Sequence, residues 1–265
     1  MRRFIGAIFA AGTLFLSTLS AQQAPVYRAP RTADGKPNLN GIWQAINEAN
    51  WDIEAHNAGF GTVPTLGAIN AIPPGMGIVD GTLPYKPEAL AKKKENFANR
   101  GKGDPEAKCY RLGVPRSMYA PYPFQIIQST DHIMMVFQFA NALRTVYMTN
   151  QKPAPAESWM GWSNGRWEGE TLVIETTGFN DQTWFDRAGN YHSNALKVVE
   201  RISARSADTL NYEATIDDPK VFTRPWKISM PLYRRTDPNV QLLEYKCVEF
   251  SEELLYGDVK KKPSK

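Results

Sequence analysis

The sequence has few of the residues that build metal centres and nucleophilic sites. It contains only two cysteines and three histidines in 265 residues. No His-x-x-x-His pair, EF-hand loop or Cys/His cluster occurs in it, so the sequence predicts no metal site. The Gly-x-Ser-x-Gly signature of serine hydrolases and the glycine-rich loop that holds phosphates are also missing. We therefore expect no bound metal and no cofactor.

A large charge of one sign is missing as well. The formal net charge is +4, and leaving out Arg2 and Arg3 reduces it to +2. An excess this small gives no electrostatic basis for binding nucleic acid. The charge pattern therefore predicts that nucleic acid is not a partner.

Long apolar runs are confined to the N-terminus. Arg2 and Arg3 precede an apolar run over 4–19, which small residues follow. This pattern is typical of a secretory signal peptide, which we predict over 1–21. The run is shorter than the roughly 20 residues that span a bilayer, and no second run of that length follows. We expect a periplasmic or secreted protein with no stable membrane span; the alternative is an uncleaved anchor.

The predicted export affects whether the two cysteines, Cys109 and Cys247, are expected to form a disulfide. An oxidising compartment favours a disulfide between them. Closing so long a loop stabilises a fold by up to about 5 kcal/mol in the chain-entropy description. The alternative is two buried free thiols.

Residues 22–265 read as a single β-rich domain. An irregular excursion over 45–100 is rich in Gly, Pro, Asn and Ala, and it ends in the one good helix pattern, 87–100. From Tyr122 onward, β-branched and aromatic runs alternate with short turns, which predicts antiparallel strands. We predict an all-β fold, an antiparallel barrel rather than a sandwich. The predicted strands are 39–44, 123–129, 133–139, 143–149, 171–177, 196–204, 209–216, 226–235 and 241–250.

The candidate site lies in the segment 159–201, where two strand patterns flank a polar and aromatic loop. Such loops between rigid strands commonly carry function. His192 titrates near neutrality and, with an Asp or Glu partner, can exchange protons at physiological pH. The alternative is that these side chains stabilise a long loop through local bonds to the backbone. The candidate catalytic residues are His192, Asp181, Asp186 and Glu200, and the candidate ligand contacts are Asn180, Trp184, Ser193, Arg201, Tyr119 and Arg116.

Glu200 has an unusual place in its strand pattern. It shares one face with Val198 and Ile202, and that face is expected to point inward. A buried carboxylate is costly unless it is paired or protonated. The sequence leaves two readings open: a salt bridge inside the barrel with an arginine such as Arg144, or an acid with a raised pKa at the floor of a cavity.

Several runs along the chain are specific motifs, found at 34–43, 121–126, 159–161, 165–173, 178–181, 192–193 and 200–201. Together they resemble a large family of exported bacterial proteins of unassigned function. The resemblance implies an exported β-rich domain and implies no particular activity. A looser similarity links Gly41-Ile42-Trp43 to lipocalin-like barrels, in which a first-strand Gly-x-Trp closes the base.

Aromatic residues suggest a function for the barrel. Seven tryptophans and eleven tyrosines can line a cavity for an aromatic ligand, although rings also simply fill barrels. Our first hypothesis is an exported lipocalin-like barrel that binds a small apolar or aromatic molecule. The alternative is a cofactor-free barrel enzyme, a lyase, isomerase or hydrolase, which uses His192 with an Asp/Glu partner on a small-molecule substrate. A third possibility is a structural envelope protein.

Overall fold

The computed structural model describes residues 27–61, 65 and 71–245. The predicted signal peptide lies outside the described residues, and so does Cys247. The export signal and the Cys109–Cys247 disulfide therefore stay predictions. No helix in the described part of the chain is long and apolar enough to cross a membrane.

Nine strands form one closed barrel, which confirms the predicted barrel fold. Each strand pairs with its neighbours in the sequence, and the ninth pairs with the first. The predicted strand over 241–250 is wrong for 241–245, which form no strand, and 246–250 lie outside the described residues. The strands are β1 Gly41–Gln44, β2 Phe124–Gln128, β3 His132–Phe137, β4 Leu143–Tyr147, β5 Trp162–Glu168, β6 Thr171–Thr177, β7 Lys197–Ser206, β8 Thr209–Asp217 and β9 Trp226–Arg234.

The barrel is not purely antiparallel, which corrects the prediction. β4 and β5 are parallel, with Val146 opposite Ser163 and Tyr147 opposite Asn164. The reason is geometric, because strand direction can alternate all the way around a closed barrel only when the number of strands is even. Nine strands force one parallel pair. The connection 148–161 makes that pair possible by returning the chain to the end at which β4 began.

Side chains fill the barrel interior. Alternate residues of each strand point inward, as Val198, Glu200 and Ile202 of β7 do, while Arg201 between them is exposed. Large inward side chains such as Phe124 and Tyr212 join one continuous apolar cluster. Each fully buried aliphatic or aromatic side chain contributes about 1.5–3 kcal/mol to stability. The lumen is therefore a packed core.

The predicted surface helix is present as α1, Pro87–Ala98, with Pro87 in its first turn and Glu88 near its positive end. It ends two residues earlier than predicted, and a short second helix, α2, covers Arg100–Gly103. Short 3-10 turns follow later in the chain. They span Pro105–Lys108, Arg116–Met118 and Phe139–Asn141.

One end of the barrel, which we call the capped end, is covered by the excursion and by two strand connections. Tyr85 of the excursion bridges Phe222 in the β8–β9 connection. The backbone N–H of Ile53 donates to the carboxylate of Asp186 in the β6–β7 connection, over 3.0 Å. The capped end therefore gathers segments that are far apart in the sequence.

Candidate functional site

His192, the predicted catalytic residue, is buried at the capped end. Its Nδ1–H donates to the backbone oxygen of Ser193 over 2.9 Å, and its Nε2 lies 2.5 Å from Oγ1 of Thr183. The rings of Phe179 and Phe185 pack against the imidazole. Burial lowers the pKa of His192, which favours the neutral ring. Both ring nitrogens have partners and neither partner is a carboxylate, so this geometry supports the loop-stabilising reading.

The other predicted site residues are distributed over the molecule. Asp181 is exposed and accepts a hydrogen bond from Gln182, whereas Glu200 lies in the barrel interior. The structure therefore gives His192 no hydrogen-bonded carboxylate among the predicted partners. The remaining contacts are local: Asn180 accepts from the Gln182 N–H, Ser193 donates to Asp218, Arg201 pairs with Glu168 on the outer surface, Trp184 packs against Gly103, and Tyr119 donates to the Phe185 carbonyl.

Glu200 forms the predicted salt bridge with Arg144 inside the barrel, which confirms that reading. Nη1 of Arg144 donates to Oε1 of Glu200 over 3.0 Å, and Nη2 donates to Oε2. The same guanidinium donates to Ser163 and Thr176, and the Tyr212 hydroxyl donates to Glu200 over 2.9 Å. Every polar group of this buried cluster has a partner, so the cluster stabilises the fold and Glu200 is not a free acid that faces a cavity.

A second buried ionic cluster lies at the capped end and contains Arg116. This guanidinium donates to both oxygens of Asp104, over 2.7 and 2.9 Å, and to Glu106 over 2.7 Å. Arg187 donates to both oxygens of Glu106, over 2.7 and 2.8 Å. Burial by itself would raise the pKa of Glu106, but Arg187 and Arg116 lower it to about 2. Arg116 is thus engaged by the protein's own carboxylates and is not open to a ligand.

A cleft of about 430 Å³ lies beside this ionic cluster. Its charged lining groups include Asp52 and Arg187, and the guanidinium of Arg187 stacks on the ring of Trp51 at 4.0 Å. The loop from the β6–β7 connection approaches α1 closely at Gly189, where φ is +83° and a Cβ atom would lie 2.7 Å from the Phe97 nitrogen. The aromatic lining residues are Trp51, Phe60, Phe97, Tyr122, Phe139 and Tyr245.

Asp186, a predicted catalytic residue, has a second carboxyl group as its neighbour. Nδ2 of Asn190 donates to Asp186 over 2.6 Å and lies 3.4 Å from Oδ1 of Asp52, so one amide bridges the two acids. Burial raises the pKa of Asp186 to about 7, and the charge of Asp52 adds to the effect. Burial also raises the pKa of Asp52. Neither acid forms an ion pair with a described residue.

Sequence reasoning missed the cleft residues Trp51 and Asp52. Both lie in the excursion, and loops of that length are usually functional or mobile. The signal that was available is a Trp-Asp pair in a stretch otherwise rich in small residues. Its meaning depends on contact with Asp186 and Arg187, which no local pattern reveals.

No known protein family and no curated protein matches this chain. The resemblance to exported bacterial proteins stays a prediction. Among the described residues, His, Cys, Asp and Glu side chains form no group of three that could hold a metal ion.

Proposed function

We propose that this protein binds a small molecule with an apolar or aromatic body, and that the molecule lies in the cleft at the capped end. The observation that carries the proposal is the cleft itself, about 430 Å³ in volume and lined by six aromatic rings. Small-molecule sites typically range from about 300 to 1,000 Å³ and are mainly apolar, with a few placed polar groups. The cleft, not the packed lumen, offers that space.

The cleft is preorganised on one side. The ring of Trp51 is held by the Arg187 guanidinium, which is itself fixed by two hydrogen bonds to Glu106. A ring held in place loses little conformational entropy when a ligand packs on it. This supports binding of a flat ligand against the aromatic wall.

We expect the replacement Phe97→Ala to weaken binding of a neutral aromatic probe, 1-naphthalenemethanol, about three- to tenfold. Phe97 lines the cleft and is 44% exposed, so the change removes a wall and leaves the core intact. Loss of one aromatic contact is worth about 0.5–1.5 kcal/mol. Binding is measured by isothermal titration calorimetry.

The matched control for Phe97→Ala is Leu90→Ala. Leu90 is on the same helix, is 37% exposed and does not line the cleft, so probe affinity is expected to stay at the wild-type value. Equal affinity of the two variants, or no binding of the probe to the wild type, would contradict the proposal.

His192→Gln distinguishes binding at the cleft from a role for the predicted histidine. Loss of a buried hydrogen-bond partner is expected to lower the free energy of unfolding by about 1–3 kcal/mol. Because His192 does not line the cleft, affinity for 1-naphthalenemethanol is expected to stay the same in the folded variant. Urea unfolding and calorimetry measure the two effects. A folded variant that no longer binds the probe would place the site at His192 instead.

A further inference from the structure

We infer that the cleft takes an aromatic organic cation, with its ammonium group on the carboxylate of Asp52 and its ring against the aromatic wall. This inference rests on the proposed function and adds the chemical class of the ligand. It starts from two hydrogen-bond acceptors without a described donor, which belong to two residues that line the cleft.

The first acceptor is Oδ2 of Asp52. The other oxygen, Oδ1, accepts from the Glu54 N–H over 2.9 Å and lies 3.4 Å from the Asn190 amide. Among the described residues, no group donates a hydrogen bond to Oδ2 and no cation forms an ion pair with Asp52. Asp52 is partly buried and Oδ2 stays accessible, so a ligand donor can reach this oxygen, and carboxylates with a raised pKa concentrate at functional sites.

The second acceptor is Nε2 of His56. Its Nδ1 lies 2.9 Å from the backbone oxygen of Glu54, which can only accept, so Nδ1 carries the proton. In the neutral ring Nε2 is then an acceptor. This atom is buried and has no hydrogen-bond partner in the described part of the chain. Oδ2 of Asp52 is therefore the acceptor that a ligand N–H can reach, and the buried Nε2 of His56 is a second unpaired acceptor on a residue that lines the same cleft.

The cations around Asp52 already have partners. Arg187 and Arg116 bind Glu106, Arg116 also binds Asp104, and Lys93 of α1 binds Glu54 over 2.8 Å. Arg100, which also lines the cleft, donates to the backbone oxygens of Phe97 and Gly61 and stacks on the Phe97 ring. The two bridged acids, Asp52 and Asp186, therefore share no counter-ion among the described residues. A ligand ammonium supplies that charge.

The aromatic wall fits the same ligand. The Trp51 ring already carries the Arg187 guanidinium at 4.0 Å, so the ammonium group of the ligand is assigned to Asp52 and its ring to the wall. The apolar body of the ligand packs on the part of the Phe97 ring that Arg100, 4.2 Å from the ring centroid, leaves exposed. An anionic ligand would instead bring a like charge against Asp52 and Asp186.

Proton linkage follows from the same arrangement. Burial raises the pKa of Asp186 to about 7, so the bridged acids retain a proton below that pH. An ammonium ligand favours the ionised acids and displaces this proton. The groups that face the pair are Glu54, His56, Lys93, Arg116 and the Tyr85 hydroxyl. Affinity for the cation is therefore expected to rise between about pH 6 and pH 8, and affinity for a neutral probe is not.

The test compares three probes that share one ring: 1-naphthylmethylamine, 1-naphthalenemethanol and 1-naphthoate. Calorimetry at pH 8 is expected to show the amine binding about tenfold more tightly than the alcohol, and the carboxylate most weakly. Asp52→Asn should lower the ratio of amine to alcohol affinity to about one, and circular dichroism shows that the variant is folded. Asp80→Asn, at an exposed aspartate of the same excursion, should behave as wild type.

The outcomes separate the two proposals. Equal binding of amine and alcohol, or an amine advantage that survives Asp52→Asn, overturns the cation inference and leaves the cleft as a site for neutral molecules. Tighter binding of 1-naphthoate than of the amine also overturns it. Failure of all three probes to bind overturns the proposed function together with the inference.

Discussion

Glu200→Gln is expected to lower the free energy of unfolding by about 3–5 kcal/mol. The side chain has the same shape, but the charge that neutralises Arg144 in the packed interior is gone. Glu200 and Arg144 are both almost fully buried, so water cannot replace the lost partner. Breaking such a pair from one side leaves a buried charge without compensation, which costs more than the pair itself contributes.

Urea unfolding, followed by tryptophan fluorescence, measures the effect of Glu200→Gln. The control is Arg201→Gln, one position along β7, where the side chain is exposed and pairs with Glu168 in solvent; little change is expected. The double change Arg144→Met with Glu200→Leu is expected to recover part of the loss, because no unpaired charge remains and the existing bond between the Ser163 and Thr176 hydroxyls is kept, while the Tyr212 hydroxyl loses its acceptor. A Glu200→Gln variant as stable as Arg201→Gln would show that the Arg144–Glu200 pair does not stabilise the fold.

Arg116→Met is expected to have a similarly large effect, about 3–5 kcal/mol, at the other buried cluster. It leaves the carboxylate of Asp104 without its bidentate partner and takes one of two guanidinium groups from Glu106. It also removes the bond from Nε to Asn50, over 2.8 Å, which ties the excursion to this cluster. Because Asp104 and Glu106 line the cleft, we expect 1-naphthalenemethanol binding to weaken as well.

Arg116→Met is also expected to change how the free energy of unfolding depends on pH in acid. Although burial opposes it, the two arginines hold the pKa of Glu106 at about 2, below its usual 4.5. This carboxylate therefore contributes stability above pH 4.5 and loses it as the pH falls toward 2. In the variant the pKa of Glu106 lies closer to 4.5, so the loss of stability on acidification ends at a higher pH and is smaller in total. Arg111→Met, at an exposed arginine nearby, is the control, and a variant that unfolds with the same acid profile as this control would contradict the assignment.

The sequence predicted most of the strands because their signals are local. β6 has the predicted bounds, since a tight turn and a run of β-branched residues define it. β5 was not delimited, because Trp162–Glu168 is rich in polar residues and glycine and lacks a clear alternation. The parallel pairing of β4 with β5 also escaped prediction, because it follows from the strand count of the closed barrel and from no local pattern.

The candidate site was predictable only in part. Asp186 was predicted from its loop, but its partner Asp52 belongs to a segment more than a hundred residues earlier in the chain. The pairing of Glu200 with Arg144 was predicted because strand alternation gives the direction of Glu200, and a buried acid needs a base. For His192 the loop-stabilising alternative agrees with the structure, since Thr183 and Ser193 are its partners.

The pairing registers of the barrel divide it into two sheets. β4 meets β5, and β9 meets β1, through only two residue pairs each, whereas β7 and β8 are paired along nearly their full length. These two seams separate β1–β4 from β5–β9. Arg144 belongs to the first sheet and Glu200 to the second, so their ion pair crosses between halves that few backbone bonds join. The closed barrel therefore consists of two sheets that meet at two short junctions, and the buried Arg144–Glu200 pair links these sheets through the interior.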